Sequence, residues 1–453
     1  MKRKLILLLA LVCLITAVLS ACSGRSETGK LRILVDHPDH SLYPDTVNEL
    51  KRILSKAESE GIIEDIDQVE IEVMPNDGMN VEARNGELTR IRAEIVSGRG
   101  ADIFIIGCGT NTYATPYDKL FQYPNGVMAQ HRFMKLDEYI ENAKYMEWDA
   151  FDPIIMQAGR YEDSQYILPM SYTFPATVYN MAGEDIEGNP IDKLDKTTTW
   201  QDMLDSDDPM LRHSAILYNG QSLNRVASVF GCTDDGHEEL TFPIEELNNI
   251  FDTGINQNIE QTPNIVMSGQ PVLEPVDYGV PENYKFDMGR GFDDPDFGLG
   301  YADISGWDMA VIPLCSINGG VTATVTSYCC INANTAYPDT SFQLVDLLMS
   351  KDIQQSSRFS CIVGLNAFPV YEGLMSEEEP VCHLWRGDGL WSMSDGNYLA
   401  VCKAKELITE AKLLSNTEKY LTLGFARCMT GSETVDKAAA RIYREAKMGL
   451  AES

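Results

Sequence analysis

Between Leu31 and Ile106 the chain switches repeatedly between strand-like and helix-like periodicity, and this alternation leaves few folds open to it. Leu31-Arg-Ile33-Leu-Val35 alternates as a strand and ends in the polar group Asp36-His37-Pro38-Asp39-His40. Val47, Leu50, Leu54 and Ala57 then fall on one helical face. Val69, Ile71 and Val73 form a second strand. Leu88, Ile91 and Ile95 recur at helical spacing and stop at Gly98-Arg-Gly100. The run Ala101-Asp-Ile-Phe-Ile-Ile106 follows as a fully buried strand. Strand, helix, strand, helix, strand predicts an α/β sheet with helices on both faces. In such a sheet ligands sit beyond the carboxyl ends of the strands, here Asp36–His40 and Gly107–Tyr113.

Charge and length bound what this sheet serves. The 453 residues hold 36 Lys and Arg against 68 Asp and Glu, a formal charge of −32. An excess of acid this large excludes nucleic acid as a partner, because phosphate binding needs clustered basic residues. With 44% of residues hydrophobic, the chain is able to bury large cores, which excludes an acidic disordered protein.

The N-terminus predicts export. Lys2, Arg3 and Lys4 precede an apolar run, Leu5 to Leu19, that is short for a membrane span. The run ends in Leu19-Ser20-Ala21-Cys22, which resembles the lipobox of bacterial lipoproteins, followed by the small, polar stretch Ser23 to Lys30. That resemblance implies a signal peptide over 1–21, a lipidated Cys22 as the mature N-terminus and a tether over 22–30. An ordinary signal peptide cleaved after Ala21 is the alternative. Two acyl chains hold a protein durably at the outer face of the cytoplasmic membrane. Loss of the three basic residues takes the mature charge to −35. Of the 11 cysteines, Cys13 leaves with the signal and Cys22 carries lipid, leaving an odd number and at least one unpaired thiol. No Cys-x-x-Cys pair occurs, so no zinc or redox framework is expected.

Longer motifs then agree in order. Leu88 to Ile106 resembles the helix, glycine-rich turn and strand of extracellular solute-binding proteins, and more narrowly the maltose-binding-protein-like group serving sugar ABC importers. Leu136-Asp-Glu-Tyr-Ile140 is similar to that family's helix after the first binding loop. Gly159 to Pro169, followed by Val178-Tyr179-Asn180, is similar to its crossover hairpin. Thr199-Trp200 resembles a helix start, and Met309–Pro313 with Gly319-Gly320 resembles the return into the first lobe. Ala336 to Gln355 and Gly431 to Ala440 resemble the later helices. The resemblance implies a two-lobed periplasmic-binding-protein-like fold, each lobe a mixed sheet flanked by helices. It places an N-terminal lobe at 31–170 and 311–360 and a C-terminal lobe at 171–310 and 361–453.

The function so implied is capture of a carbohydrate, an oligosaccharide, between lobes that close about a hinge, with delivery to ABC permease subunits and no catalysis. A monomer, no cofactor and no metal are expected. Sugar recognition needs carboxylates, amides and hydroxyls for the ligand's hydroxyls and an aromatic face for its C–H surface. Candidate contacts are Asp36, His37 and Asp39 after the first strand, and Thr110, Asn111 and Tyr113 after the third. Ser171 and Tyr172 follow in the crossover, with Tyr172 expected to stack on the ring or else to pack against the hinge. Asn219 and Gln221 come from the second lobe, and Trp391 is a ligand contact or a loop anchor. Trp200 is assigned to structure.

Other chemistries fit less well. There is no Gly-x-Ser-x-Gly elbow, His-Glu-x-x-His motif or Walker loop. His37 and His40, with Pro38 between, do not share a helical face, and Asp293, Asp294 and Asp296 depart from the twelve-residue calcium pattern. A surface-anchored glycan hydrolase and a sensory lipoprotein coupled to a membrane kinase remain as alternative functions.

Overall fold

The computed structural model describes residues 29–36, 43–75, 81–107, 119–181, 188–217, 223–236, 239–261, 285–286, 308–359, 362, 368–374, 385–386, 389–390 and 395–452. Among these, no helix is long and apolar enough to cross a membrane.

The strands that organise the fold are β1 (Leu31–Asp36), β2 (Val69–Val73), β3 (Ile103–Gly107), β4 (Ile167–Thr173), β5 (Ala176–Asn180), β6 (Lys285–Phe286), β7 (Met309–Pro313), β8 (Val321–Ile331), β9 (Phe368–Pro369) and β10 (Ile408–Leu413). The first sheet runs β9-β4-β8-β3-β1-β2, with β10 also pairing with β8. β1 is parallel to both neighbours, with Ile33 opposite Ile71 and Ile103. The second sheet runs β6-β5-β7.

The expected alternation is present. Helix α1 (Tyr43–Ser59) buries Leu50, Ile53, Leu54 and Ala57, with Val47 half-buried at the edge of that face. Helix α2 (Val81–Val96) buries Leu88, Ile91 and Ile95, one face of a 3.6-residue period. It stops where Gly98 takes φ +75°, a left-handed conformation that glycine adopts without a Cβ penalty. Every residue of β3 is buried, as a central strand covered on both faces should be.

Further along, α3 (Pro124–Ala129) follows β3, and α4 (Pro153–Gln157) precedes the hairpin of Arg160–Tyr161 and Ser164–Gln165. Asp152 caps α4 by accepting from the Ile154 and Ile155 amides, with Pro153 at the first helical position. Helix α5 (Trp200–Leu204) opens with a capping box of Thr199 and Asp202. Trp200 is buried and donates its indole N–H to Ala215 O at 2.7 Å, the structural role expected for it. The second lobe adds α6 (Leu223–Val229) and α7 (Ile244–Gln261). Helix α8 (Pro338–Leu348) buries Phe342, Val345 and Leu348 on the first lobe, and Met349 just beyond it is buried as well. Helices α9 (Asp395–Lys405), α10 (Asn416–Met429) and α11 (Val435–Glu452) complete the chain. Ala439, Ile442 and Ala446 form the buried stripe of α11, with Val435 packed half-buried against the core.

Among the described residues the chain passes between the two sheets at two places. β4 pairs with β8 in the first sheet, and after Pro175 the chain enters β5, which pairs with β7 in the second. The way back differs from the expected boundary at 311. Among the described residues Met309–Pro313 pairs with β5, from Ala176 opposite Pro313 to Asn180 opposite Met309, and so lies with the second sheet. Gly319 and Gly320, at φ +91° and +69°, then turn the chain into β8. The first five residues of β8 pair with β10, and only from Ser327 does it pair with β3 and β4. The return is therefore made within one long buried strand. The apolar runs at 309–313 and 321–331 look alike in sequence, and pairing partners alone tell them apart.

Candidate functional site

Strands β1, β2 and β3 are mutually parallel, and β3 and β4 both run antiparallel to β8. The carboxyl ends of β1, β2, β3 and β4 consequently lie on one edge of the sheet. At that same edge β4 leads through Thr173 to Pro175 into the second sheet, where Leu314 donates its amide to Pro175 O at 2.9 Å. An edge of strand ends facing a second lobe is where an open α/β sheet binds ligand.

The candidate residues divide among three situations. Asp36 does not offer its carboxylate to a ligand. It is 1% exposed and accepts two parallel bonds from the 2%-exposed Arg84, Nη1 to Oδ1 at 2.9 Å and Nη2 to Oδ2 at 3.1 Å. Arg84 Nη1 also donates to Pro75 O at 3.0 Å. One guanidinium thus ties the end of β1, the stretch after β2 and α2 together beneath the edge. Sequence reasoning passed over Arg84 because it sits among charged surface residues of a helix. The signal present was its position on the Leu88-Ile91-Ile95 face, one turn before Leu88.

Ser171 and Tyr172 are at the crossing and not in an open cleft. Ser171 Oγ lies 2.7 Å from Thr326 Oγ1 and 2.5 Å from Ser327 Oγ, all three residues being buried. The β4–β8 register shifts between Ser327 and Tyr328, so these hydroxyls bridge the strands where the ladder is irregular. Tyr172 is fully buried and packs on Phe368 of β9 at 5.8 Å between ring centres. The expectation of ring stacking on a ligand does not fit this conformation, because the ring has no exposed face and packs on Phe368. His37, Asp39, Thr110, Asn111, Tyr113, Asn219, Gln221 and Trp391 lie outside the described residues. Asp36 and Gly107 at the ends of β1 and β3, and Leu217, the last described residue before Asn219, are all buried.

A cavity of about 610 Å³ also opens between the two lobes. Asn125, Gln157 and Tyr161 line one wall, Cys232 and Asp234 face them, and Glu410 joins from β10, which pairs with β8. Burial, reinforced by the nearby Glu418, pushes the Asp234 carboxyl up to about 6, although Asn125 bonds it in the opposite sense. Lys412 Nζ, on the same wall, is spent on Ala227 O at 2.8 Å and Gly231 O at 2.9 Å. Glu418 is held by the Thr233 hydroxyl at 2.6 Å and the Ser415 amide at 2.7 Å. No group of three or more metal-ligating side chains occurs among the described residues.

No protein-family model matches the chain. No curated protein matches it either. Solved structures do. An ABC substrate-binding protein of Listeria monocytogenes, in complex with cycloalternan, superposes with a TM-score of 0.51 at 14% identity over 93% of this chain and 99% of its own. A solute-binding protein of an ABC transporter from Thermotoga lettingae, bound with α-D-tagatose, gives 0.52 at 13% identity over 93% and 99%. The GacH receptor of Streptomyces glaucescens, described unliganded and with acarbose, gives 0.50 at 12% identity over the same shares. Identity this low speaks to architecture, and it agrees with the strand-end edge and the two crossings: the chain has the two-lobed α/β fold of the extracellular solute-binding proteins that serve ABC importers.

Proposed function

We propose that this protein is an exported, lipid-anchored solute-binding protein that captures a carbohydrate between its lobes and hands it to the permease of an ABC importer. The observation that carries the proposal is the single edge on which four strands end, set at the crossing into the second lobe. The segments 37–42 and 108–118, which follow β1 and β3 in the sequence, contain His37, Asp39, Thr110, Asn111 and Tyr113, side chains suited to sugar hydroxyls and ring faces. Asn219, Gln221 and Trp391 are the contacts this reading assigns to the second lobe. Sugar ligands in the structural neighbours support the ligand class, and the mature charge of −35 disfavours an anionic solute. Cys22 carries the anchor and residues 23–30 the tether. Function is binding and release: the ligand favours the closed arrangement only by the extra contacts made there.

The test is a thermal-shift screen of the chain from Ser23 onward against sugars, amino acids, polyamines and metal ions. A ligand that binds only the folded state adds about 2.7 kcal/mol at a hundredfold excess over Kd. An oligosaccharide is expected to raise the melting temperature, and calorimetry is expected to give micromolar-class affinity. A shift with an amino acid, polyamine or metal and none with any sugar would remove the carbohydrate assignment, and turnover of an oligosaccharide would replace binding with hydrolysis.

A further inference from the structure

Gln122 to Asn125 belong to the first lobe by packing. They follow Phe121, whose ring meets Phe104 of β3 at 5.3 Å and Phe133 at 4.9 Å between centres. The second lobe nevertheless grips this strip at four points. The Asn416 amide donates to Gln122 O at 2.8 Å. The buried Tyr123 ring lies so close to Gly449 of α11 that a Cβ at 449 would overlap it. Asn125 Nδ2 donates to Asp234 O at 3.0 Å and to Asp234 Oδ1 at 2.9 Å. Gly236, at φ +86°, brings its backbone against the strip, where a Cβ would stand 2.9 Å from Asn125 O and 3.0 Å from the Tyr161 ring.

These contacts are distant from the crossing strands in sequence. Asn125 and Asp234 are 109 residues apart, and neither lies in β4, β5, β7 or β8. The crossing strands carry a register irregularity between Ser327 and Tyr328, close to where the chain passes from one sheet to the other. The strip supplies directional bonds and a close backbone approach that only glycine permits. The interlobe cavity adjoins it, so the surfaces beside the strip are not packed solid and leave room for relative movement.

We propose that the Gln122–Asn125 strip, clasped by Asp234, Gly236, Asn416 and Gly449, is a noncovalent fastening that sets the resting angle between the two lobes. Crossing strands keep the lobes attached, and the fastening chooses among the orientations they allow. Release of the Asn125–Asp234 bonds or a wedge at Gly236 shifts the population toward other angles. This goes beyond ligand capture and needs no ligand to be known.

Hydrogen exchange and small-angle scattering on the ligand-free chain from Ser23 test it, with variants Asn125→Ala, Gly236→Val and Asp234→Asn. In Asn125→Ala and Gly236→Val, amides in 121–126, 232–236 and 414–418 are expected to exchange at least about tenfold faster than in the parent. Amides in β3 and β4 are expected to keep their protection, and the radius of gyration to change. Asp234→Asn keeps an acceptor beside Asn125 and is expected to stay close to the parent. Unchanged exchange and superimposable scattering in both Asn125→Ala and Gly236→Val overturn the proposal. Equal acceleration in β3 and β4 also overturns it, because the strip is then part of one common core and no separate fastening exists. These readouts are independent of whether any sugar binds.

Discussion

Arg84 of α2 and Asp36 at the end of β1 face each other as a two-pronged ion pair, Nη1–Oδ1 2.9 Å and Nη2–Oδ2 3.1 Å, with both side chains at most 2% exposed. Removing one member strands the other in a low-dielectric interior. Arg84→Met is expected to lower unfolding stability by about 3–5 kcal/mol, read as a fall in urea midpoint with the slope unchanged. The double variant Arg84→Met with Asp36→Leu is expected to recover part of that loss, because no buried charge remains unpaired. A double variant as unstable as the single one would show that the pair contributes through geometry alone.

Asp234 gives a pH dependence of opposite sense to most carboxylates. Its folded-state value is raised from 3.8 to about 6. The stability it contributes is fully present below about pH 3.8 and is lost as pH rises through about 6. The size of this contribution is about 3 kcal/mol, for a side chain only 5% exposed. Asp234→Asn is expected to flatten the stability profile between pH 4 and pH 6 relative to the parent, measured by denaturant titration at each pH. Parallel profiles for the two proteins would contradict the assignment.

Tyr172 is expected to act through packing. Tyr172→Ala empties a fully buried site beside Phe368, and a cost of about 3–5 kcal/mol is expected in thermal or urea unfolding. Any weakening of ligand binding in that variant should then track its lost stability. Tyr172→Phe keeps the ring and should retain most of the stability. Full stability with lost binding would return Tyr172 to the ligand.

The buried thiols should be inert in the native protein. Burial pushes Cys315 and Cys329 up to about 12 and Cys428 up to about 11, and raises Cys330 strongly. None of these four is in a disulfide. A thiol reagent at pH 8 is expected to leave Cys315, Cys329 and Cys330 unmodified until denaturant is added, as read by peptide mass spectrometry. Modification at these three positions without unfolding would place them nearer the surface than described.

Much of the architecture was legible in the chain because its signals are local. The β1–α1–β2–α2–β3 order follows from apolar spacing within short windows, and the α5 start follows from a Thr-Trp pair whose hydroxyl has one job, to cap. The helices near 338–348 and 435–452 carry their buried stripes in plain sequence. Asp36 shows the converse, because its partner is not local. An acidic residue after a strand looks the same whether it awaits a ligand or is committed to an arginine 48 positions away.

Local patterns in the chain set which segments become strands and helices, that the sheet is α/β, and that polar residues follow its strand ends. Hydrophobic periodicity and capping act over a few residues and leave their record there. Long-range packing is what keeps 309–313 with the second sheet, seals Ser171 and Tyr172 into the crossing, and brings Asn125 to Asp234. Those outcomes depend on which distant surfaces exclude water together, and burial converts an ordinary polar side chain into a paired, positioned one.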